Sequence, residues 1–117
     1  MINSRSKGAR GERQFAKWLR DTFGLEARRG CQYAGGVDSP DVIGGFVGTH
    51  PEVKYVEKMN IDKAMAQAVK DGGGRIPYVA HKRNRGDLML TIRASDIIEF
   101  AKVVVLQDTI NTRQDKE

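Results

Sequence analysis

Asp41, Glu52 and Lys54 are the residues of this 117-residue chain whose types and spacing could do chemistry. Ten residues separate the Pro40-Asp41 pair from the triplet Glu52-Val53-Lys54, and the stretch between them carries Gly44, Gly45 and Gly48. In a strand, alternate residues share a face about 6.6 Å apart, so Glu52 and Lys54 point one way while Val53 points to the core. Two carboxylates about 4 Å apart repel by about 4 kcal/mol at an effective dielectric near 20, so a cluster of Asp41 and Glu52 asks for a cation. Lys54 could be that cation. An all-oxygen ligand set with open positions suits Mg²⁺ or Mn²⁺ better than zinc. His50 and His81 read as turn and strand residues, neither with a partner at useful spacing, and no small-molecule cofactor is implied.

The elements that must position these residues follow from periodicity and punctuation. Phe15, Ala16, Leu19 and Phe23 recur at helical spacing and Gly24 supplies a stop, so a first helix is predicted over 6–23. Glu12 stands four residues before Ala16, which puts a carboxylate on the core-facing side of that helix. A first edge strand is expected within 25–33, followed by a loop over 35–39. Residues 41–46 and 52–57 read as a hairpin whose register the sequence leaves open; one of its two registers would put Asp41 on the face shared by Glu52 and Lys54. Pro40 fits the start of a strand, where a missing N–H costs no ladder bond.

Asn60 is placed to cap a second helix with Ile61, Ala64, Met65, Ala68 and Val69 on one face, ended by Gly72-Gly73-Gly74. Strands follow over 76–82 and 87–93, separated by the basic turn Arg83-Asn84-Arg85-Gly86. Ser95 is expected to cap a third helix with an apolar stripe of Ile97, Ile98, Ala101, Val104 and Val105. One domain is expected over residues 1–106, with a polar, flexible tail over 107–117. The order α-β-β-β-α-β-β-α implies an α/β fold, a mixed sheet flanked by helices.

The net charge of +5 is concentrated at one end: residues 1–30 hold eight Lys or Arg against Glu12, Asp21 and Glu26. Arg10, Arg13, Lys17 and Arg20 fall mainly off the apolar stripe, where phosphates could reach them, and a basic end on a neutral body favours polyanions, nucleic acid first. No apolar run is long enough to span a bilayer and the N-terminus has no signal-peptide pattern, so an intracellular protein without membrane partners is expected. The single Cys31 cannot form an internal disulfide.

Pro40-Asp41, then Glu52-Val53-Lys54 after ten residues, resembles the signature of the PD-(D/E)xK nucleases. Lys7-Gly8-Ala9-Arg10-Gly11-Glu12 resembles the first-helix motif of their Holliday junction resolvase-like branch. The resemblance runs from about Ser6 to Arg93. It implies a restriction-endonuclease-like fold, a metal-dependent DNA endonuclease acting on branched DNA, and a homodimer. Carried over residue by residue, it implies that Asp41, Glu52 and the Val53 carbonyl ligate Mg²⁺ or Mn²⁺. Glu12 would add a ligand or hold a metal-bound water, Lys54 would orient the attacking water, and Gln67 would border the site. Phosphodiester hydrolysis is so slow that one positioned acid or base, worth about 10²–10⁴-fold, cannot be its main agent, which leaves Lys54 secondary to the metal and suited to stabilising charge on the phosphate.

Lys7, Arg10, Arg13, Lys17, Arg28 and Arg29, with Lys82, Arg83 and Arg85 on the second basic turn, are the candidate DNA contacts. Each site residue also has an ordinary alternative. Asp41 could be a turn residue, Glu52 and Lys54 a solvated strand face, Gln67 a surface glutamine, and Glu12 the partner of a nearby arginine. Two rival functions share the fold or the charge: a nuclease acting on ends, flaps or single strands, and a non-catalytic nucleic-acid-binding module. A weaker rival is peripheral binding to anionic lipid through the basic end.

Overall fold

A computed structural model describes residues 4–30 and 41–115, with side chains for 8–30 and 41–108. Cys31, Pro40, the Lys7 side chain, the far end of the expected first strand and the 35–39 loop lie outside the described residues. The elements run α1 (Ser4–Phe23), β1 (Arg28–Arg29), β2 (Val42–Ile43), β3 (Thr49–Tyr55), α2 (Ile61–Gly72), β4 (Ile76–Lys82), β5 (Met89–Ile92) and α3 (Ile97–Asp115). This is the expected order. No described helix is long and apolar enough to cross a membrane.

The central sheet is mixed. β3 pairs parallel with β4, Glu52 opposite Val79 and Lys54 opposite His81, and β4 pairs antiparallel with β5. A parallel pair needs a crossover, and α2 provides it as a β3-α2-β4 unit. Asn60 caps α2 by accepting from the Lys63 N–H at 3.1 Å, and Gly73 closes it in the left-handed conformation.

The hairpin expected from residues 41–46 and 52–57 does not form. β2 pairs instead with β1, Val42 opposite Arg29, and β3 takes its ladder from β4. The glycines between β2 and β3 turn the chain away from a direct return. Gly44 has φ +78°, and a Cβ there would lie 2.4 Å from the Glu26 carbonyl oxygen, so only glycine fits.

The two faces of β3 meet different partners. Val53 joins Phe15, Leu19, Tyr78, Ala80 and Phe100 in the main core, on the α1 side. Gly11 is the point of closest approach, since a Cβ there would stand 2.9 Å from the Tyr55 Cβ. On the other face α2 buries only the small residues Ala64, Ala68 and Gly72; Val69, expected on that face, is exposed.

The C-terminal helix departs from expectation in two ways. Ser95 does not cap it: the chain enters through a 3-10 turn with Arg93 at its N-cap and no side-chain cap bond, and Arg93 Nε donates to Asp96 at 2.8 Å. α3 also turns a different side inward. Phe100 is buried, with Val103 and Val104 against the core, whereas Ile97, Ile98, Val105 and Leu106 stay exposed. The helix is apolar on two sides, and aromatic packing decides between them: the Phe100 ring lies 5.1 Å from Tyr78 and 6.0 Å from Phe46. Its helical backbone continues past Leu106 to Asp115.

Gly11 and Gly8 lie in one helix but in opposite surroundings, nothing standing within 4 Å of a Cβ at Gly8. Gly11→Ala is expected to lower the unfolding free energy by about 1–3 kcal/mol through overpacking on Tyr55. Gly8→Ala should raise it by up to about 1 kcal/mol through helix propensity. Urea denaturation of the two variants beside the parent checks both signs.

Candidate metal and nucleic-acid site

Asp41 sits where the two sheets meet. Its main-chain carbonyl accepts from the Gly30 N–H at 3.0 Å, extending the β1-β2 pairing. Its side chain accepts from the Val53 N–H at 2.9 Å, in place of a ladder bond between β2 and β3. The carboxylate is thereby held against the Glu52-Val53-Lys54 stretch. Glu52 is buried, and the Lys54 ammonium approaches it at 3.6 Å.

The electrostatics are those of crowded acids. Burial, and next the neighbouring Asp41, push the Glu52 carboxyl up from 4.5 to about 7, against the pull of Lys54. Burial also raises Asp41, opposed by the Val53 hydrogen bond and by Lys54. Glu12 is raised too, by burial first, with Asp41 adding to the rise and Arg29 opposing it. Asp41 thus has two acidic neighbours, Glu12 and Glu52, and each of the three carboxyls is held above its ordinary value. The donors are hard oxygens, as a divalent ion of the Mg²⁺ or Mn²⁺ type requires.

Glu12 is buried at 8% exposure, on the inward side of α1 as its spacing predicts. Its carboxylate is already held: Arg29 Nε donates to it at 2.7 Å. Arg29, expected among the phosphate contacts, is therefore engaged with Glu12. Gln67 is exposed and donates to Asp71 at 2.5 Å.

His81 is a strand residue as expected, whereas His50, expected in a turn, lies inside β3. His81 Nε2 pairs with Thr91 Oγ1 across β4 and β5 at 2.8 Å. His50 is buried beside Glu52, and one of its ring nitrogens, a Glu52 oxygen and an Asp71 oxygen all lie within 4.8 Å of one another. Burial lowers the His50 pKa against the pull of Asp41 and Asp71. The i, i+2 spacing of His50 and Glu52 was the available signal; Asp71 had none, because it arrives from another element.

Lys54 borders two grooves. One runs over the β4-β5 turn between Lys82, Arg83 and Met59, the other along α2 between Lys58, Lys63 and Gln67. Lys82 and Arg83 were expected near a substrate; Lys58 and Lys63, which the sequence did not single out, line the second groove. Arg85 occupies the exposed turn with φ 61°. Arg10, Arg13, Lys17 and Arg28 are exposed, and Lys17 pairs with Asp21.

A mixed sheet flanked by helices, with β3 and β4 joined through α2, is the restriction-endonuclease-like α/β fold. The chain is similar to the solved structure of Hjc, a Holliday junction resolvase from the archaeal hyperthermophile Archaeoglobus fulgidus, with a TM-score of 0.52 and 28% sequence identity. The likeness covers 74% of this chain and 72% of that one. No protein-family model and no curated protein matches the chain.

The raised Glu52 value sets a pH dependence. The folded protein binds more protons than the unfolded chain between pH 4.5 and about 7, so this group's contribution to metal-free stability falls as pH rises through that window. Glu52→Gln is expected to remove that part of the slope, being more stable than the parent above pH 7 and equal to it near pH 4.5. Urea midpoints at the two pH values check the sign.

Proposed function

We propose that this chain is a metal-dependent DNA endonuclease that hydrolyses phosphodiester bonds in branched DNA, as an intracellular homodimer. The observation that carries the reading is the Asp41 carboxylate fixed on the Val53 N–H beside buried Glu52. The likeness to Hjc, itself a Holliday junction resolvase, supports the substrate class.

Asp41, Glu52 and the Val53 carbonyl hold a Mg²⁺ or Mn²⁺ ion, which when bound supplies Lewis-acid polarisation of the phosphate and a more acidic water. Lys54, between the two basic grooves, stabilises the charge that develops on the phosphate oxygens. Glu12, on α1 and electrostatically coupled to Asp41, adds a ligand or holds a metal-bound water, with Arg29 acting through it as a positioning residue. Gln67 orients Asp71.

Arg10, Arg13, Lys17 and Arg28, with Lys7 as a further candidate, grip the backbone, together with Lys58, Lys63, Lys82 and Arg83 around the two grooves beside Lys54 and Arg85 on the exposed turn. Phosphate contacts position without reading bases, which suits recognition of DNA shape.

The homodimer surface is the outer side of α3. Ile98 is 66% exposed there, with Ile97, Val105 and Leu106 close behind. All four are more than half exposed, and a cluster of large apolar side chains left open to solvent is the kind of surface that takes a partner. Two copies meeting on it would cover this patch in each, as the core of an interface that needs roughly 1,000 Å² in all. Ile98→Glu is expected to turn a dimer into a folded monomer in sedimentation at micromolar concentration; a monomeric parent would remove the dimer.

Cleavage of a labelled four-way junction tests the activity. With Mg²⁺ the parent should cut, and chelator should stop it. Asp41→Asn and Lys54→Ala should each cut at least about 100-fold more slowly. Junction binding should stay within a few-fold, because the gripping cations lie elsewhere. Equal cutting of linear duplex would remove the junction preference. Salt-sensitive binding without cleavage would favour the non-catalytic module.

A further inference from the structure

The Asp41 side of Glu52 serves the reading above; the α2 side carries a second set of donors. His50 and Glu52 are two residues apart on β3, so both face α2. One ring nitrogen of His50 and one carboxylate oxygen each from Glu52 and Asp71 lie within 4.8 Å of one another. His50 is only 2% exposed, and its Nδ1 is buried with no hydrogen-bond partner among the described residues. A buried polar atom left unmet is destabilising, and a ligand bound to it would remove that cost.

Two neighbours fix these donors in place. A Cβ at Gly72 would stand 3.3 Å from the His50 Cβ and 3.6 Å from Cγ, so the last turn of α2 is seated on the ring. Gln67 donates to Asp71 and orients its carboxylate. Metal-ligating side chains are commonly held by such outer contacts.

We propose that His50, Glu52 and Asp71 form a second divalent-cation position, sharing Glu52 with the Asp41 position, that takes a first-row transition ion such as Co²⁺ or Zn²⁺ in preference to Mg²⁺. The preference follows from the donor set. Imidazole nitrogen suits these ions, whereas Mg²⁺ takes oxygen and gives up its waters reluctantly.

Titration of the metal-free protein with Co²⁺, followed by visible absorption and calorimetry without DNA, tests this. Asp71→Asn and His50→Asn are each expected to weaken Co²⁺ binding at least tenfold. Excess Zn²⁺ should displace Co²⁺, and equal Mg²⁺ should not. His50→Asn disturbs a buried site, so its circular dichroism and urea midpoint are compared with the parent; Asp71 is only half-buried, and its variant decides if the other does not fold. Parental affinity in Asp71→Asn, or displacement by equal Mg²⁺, would each overturn the second position. The outcome is separate from the cleavage reading: Co²⁺ bound through Asp71 to a protein that cuts no DNA would sink the nuclease and leave this site standing.

Discussion

Both the architecture and the candidate chemistry depend on one hydrogen bond, from the Val53 N–H to the Asp41 carboxylate. β2 and β3 share no ladder, so the small β1-β2 ribbon is tied to the main sheet at this point by a side chain. A hydrogen bond to a charged acceptor contributes roughly 1.5–3 kcal/mol, more than a neutral ladder bond. Because the tie comes from the side chain, it carries the carboxylate to the edge of β3 together with the backbone. The residue that would hold an ion is thereby also the one that docks the ribbon.

That arrangement concentrates negative charge inside a basic protein. Burial is the first cause of the rise at Glu12, Asp41 and Glu52 alike, so each acid is more costly to ionise where it stands than in water. Arg29 offsets the cost at Glu12 and Lys54 offsets part of it at Glu52. What remains falls on Asp41 and Glu52, which is where a divalent ion would act. The surrounding lysines and arginines stand at the rim, where their field would favour a polyanion, while the acids at the centre would favour a cation.

The parts legible in the sequence were those set by local rules. Asn60 and the glycines after α2 marked both of its ends, β4 kept its expected bounds of Ile76–Lys82, and the place of Glu12 among the apolar residues of α1 showed that it faces inward. What stayed hidden was decided at long range. The partner of β3 is β4 rather than the neighbouring β2, because the parallel ladder forms only after α2 has crossed over. The inward face of α3 was ambiguous because the helix is apolar on two sides, and only the rings of Tyr78 and Phe46 select Phe100. His50 looked solitary because Asp71 comes from the far end of α2, brought near by the contact of Gly72 with the imidazole.

The accuracy of the site is inherited from the core on the opposite face of the same strand. In β3 the side chains alternate, so Val53 and Glu52 cannot both turn the same way, and a slip of one residue would exchange their environments. Val53 is wedged among Phe15, Tyr78 and Ala80, and a slip would put a carboxylate against those rings and an isopropyl group against α2. Leaving an ionised carboxylate unpaired in an apolar interior costs more than a marginally stable domain can lose. The register that keeps Lys54 opposite His81 and Tyr55 opposite Lys82 is therefore enforced by hydrophobic packing. Because β3 and β4 are parallel, their C-terminal ends emerge together, and Lys54 and Lys82 line one groove. The apolar side of the strand thus determines where the charged side chains stand.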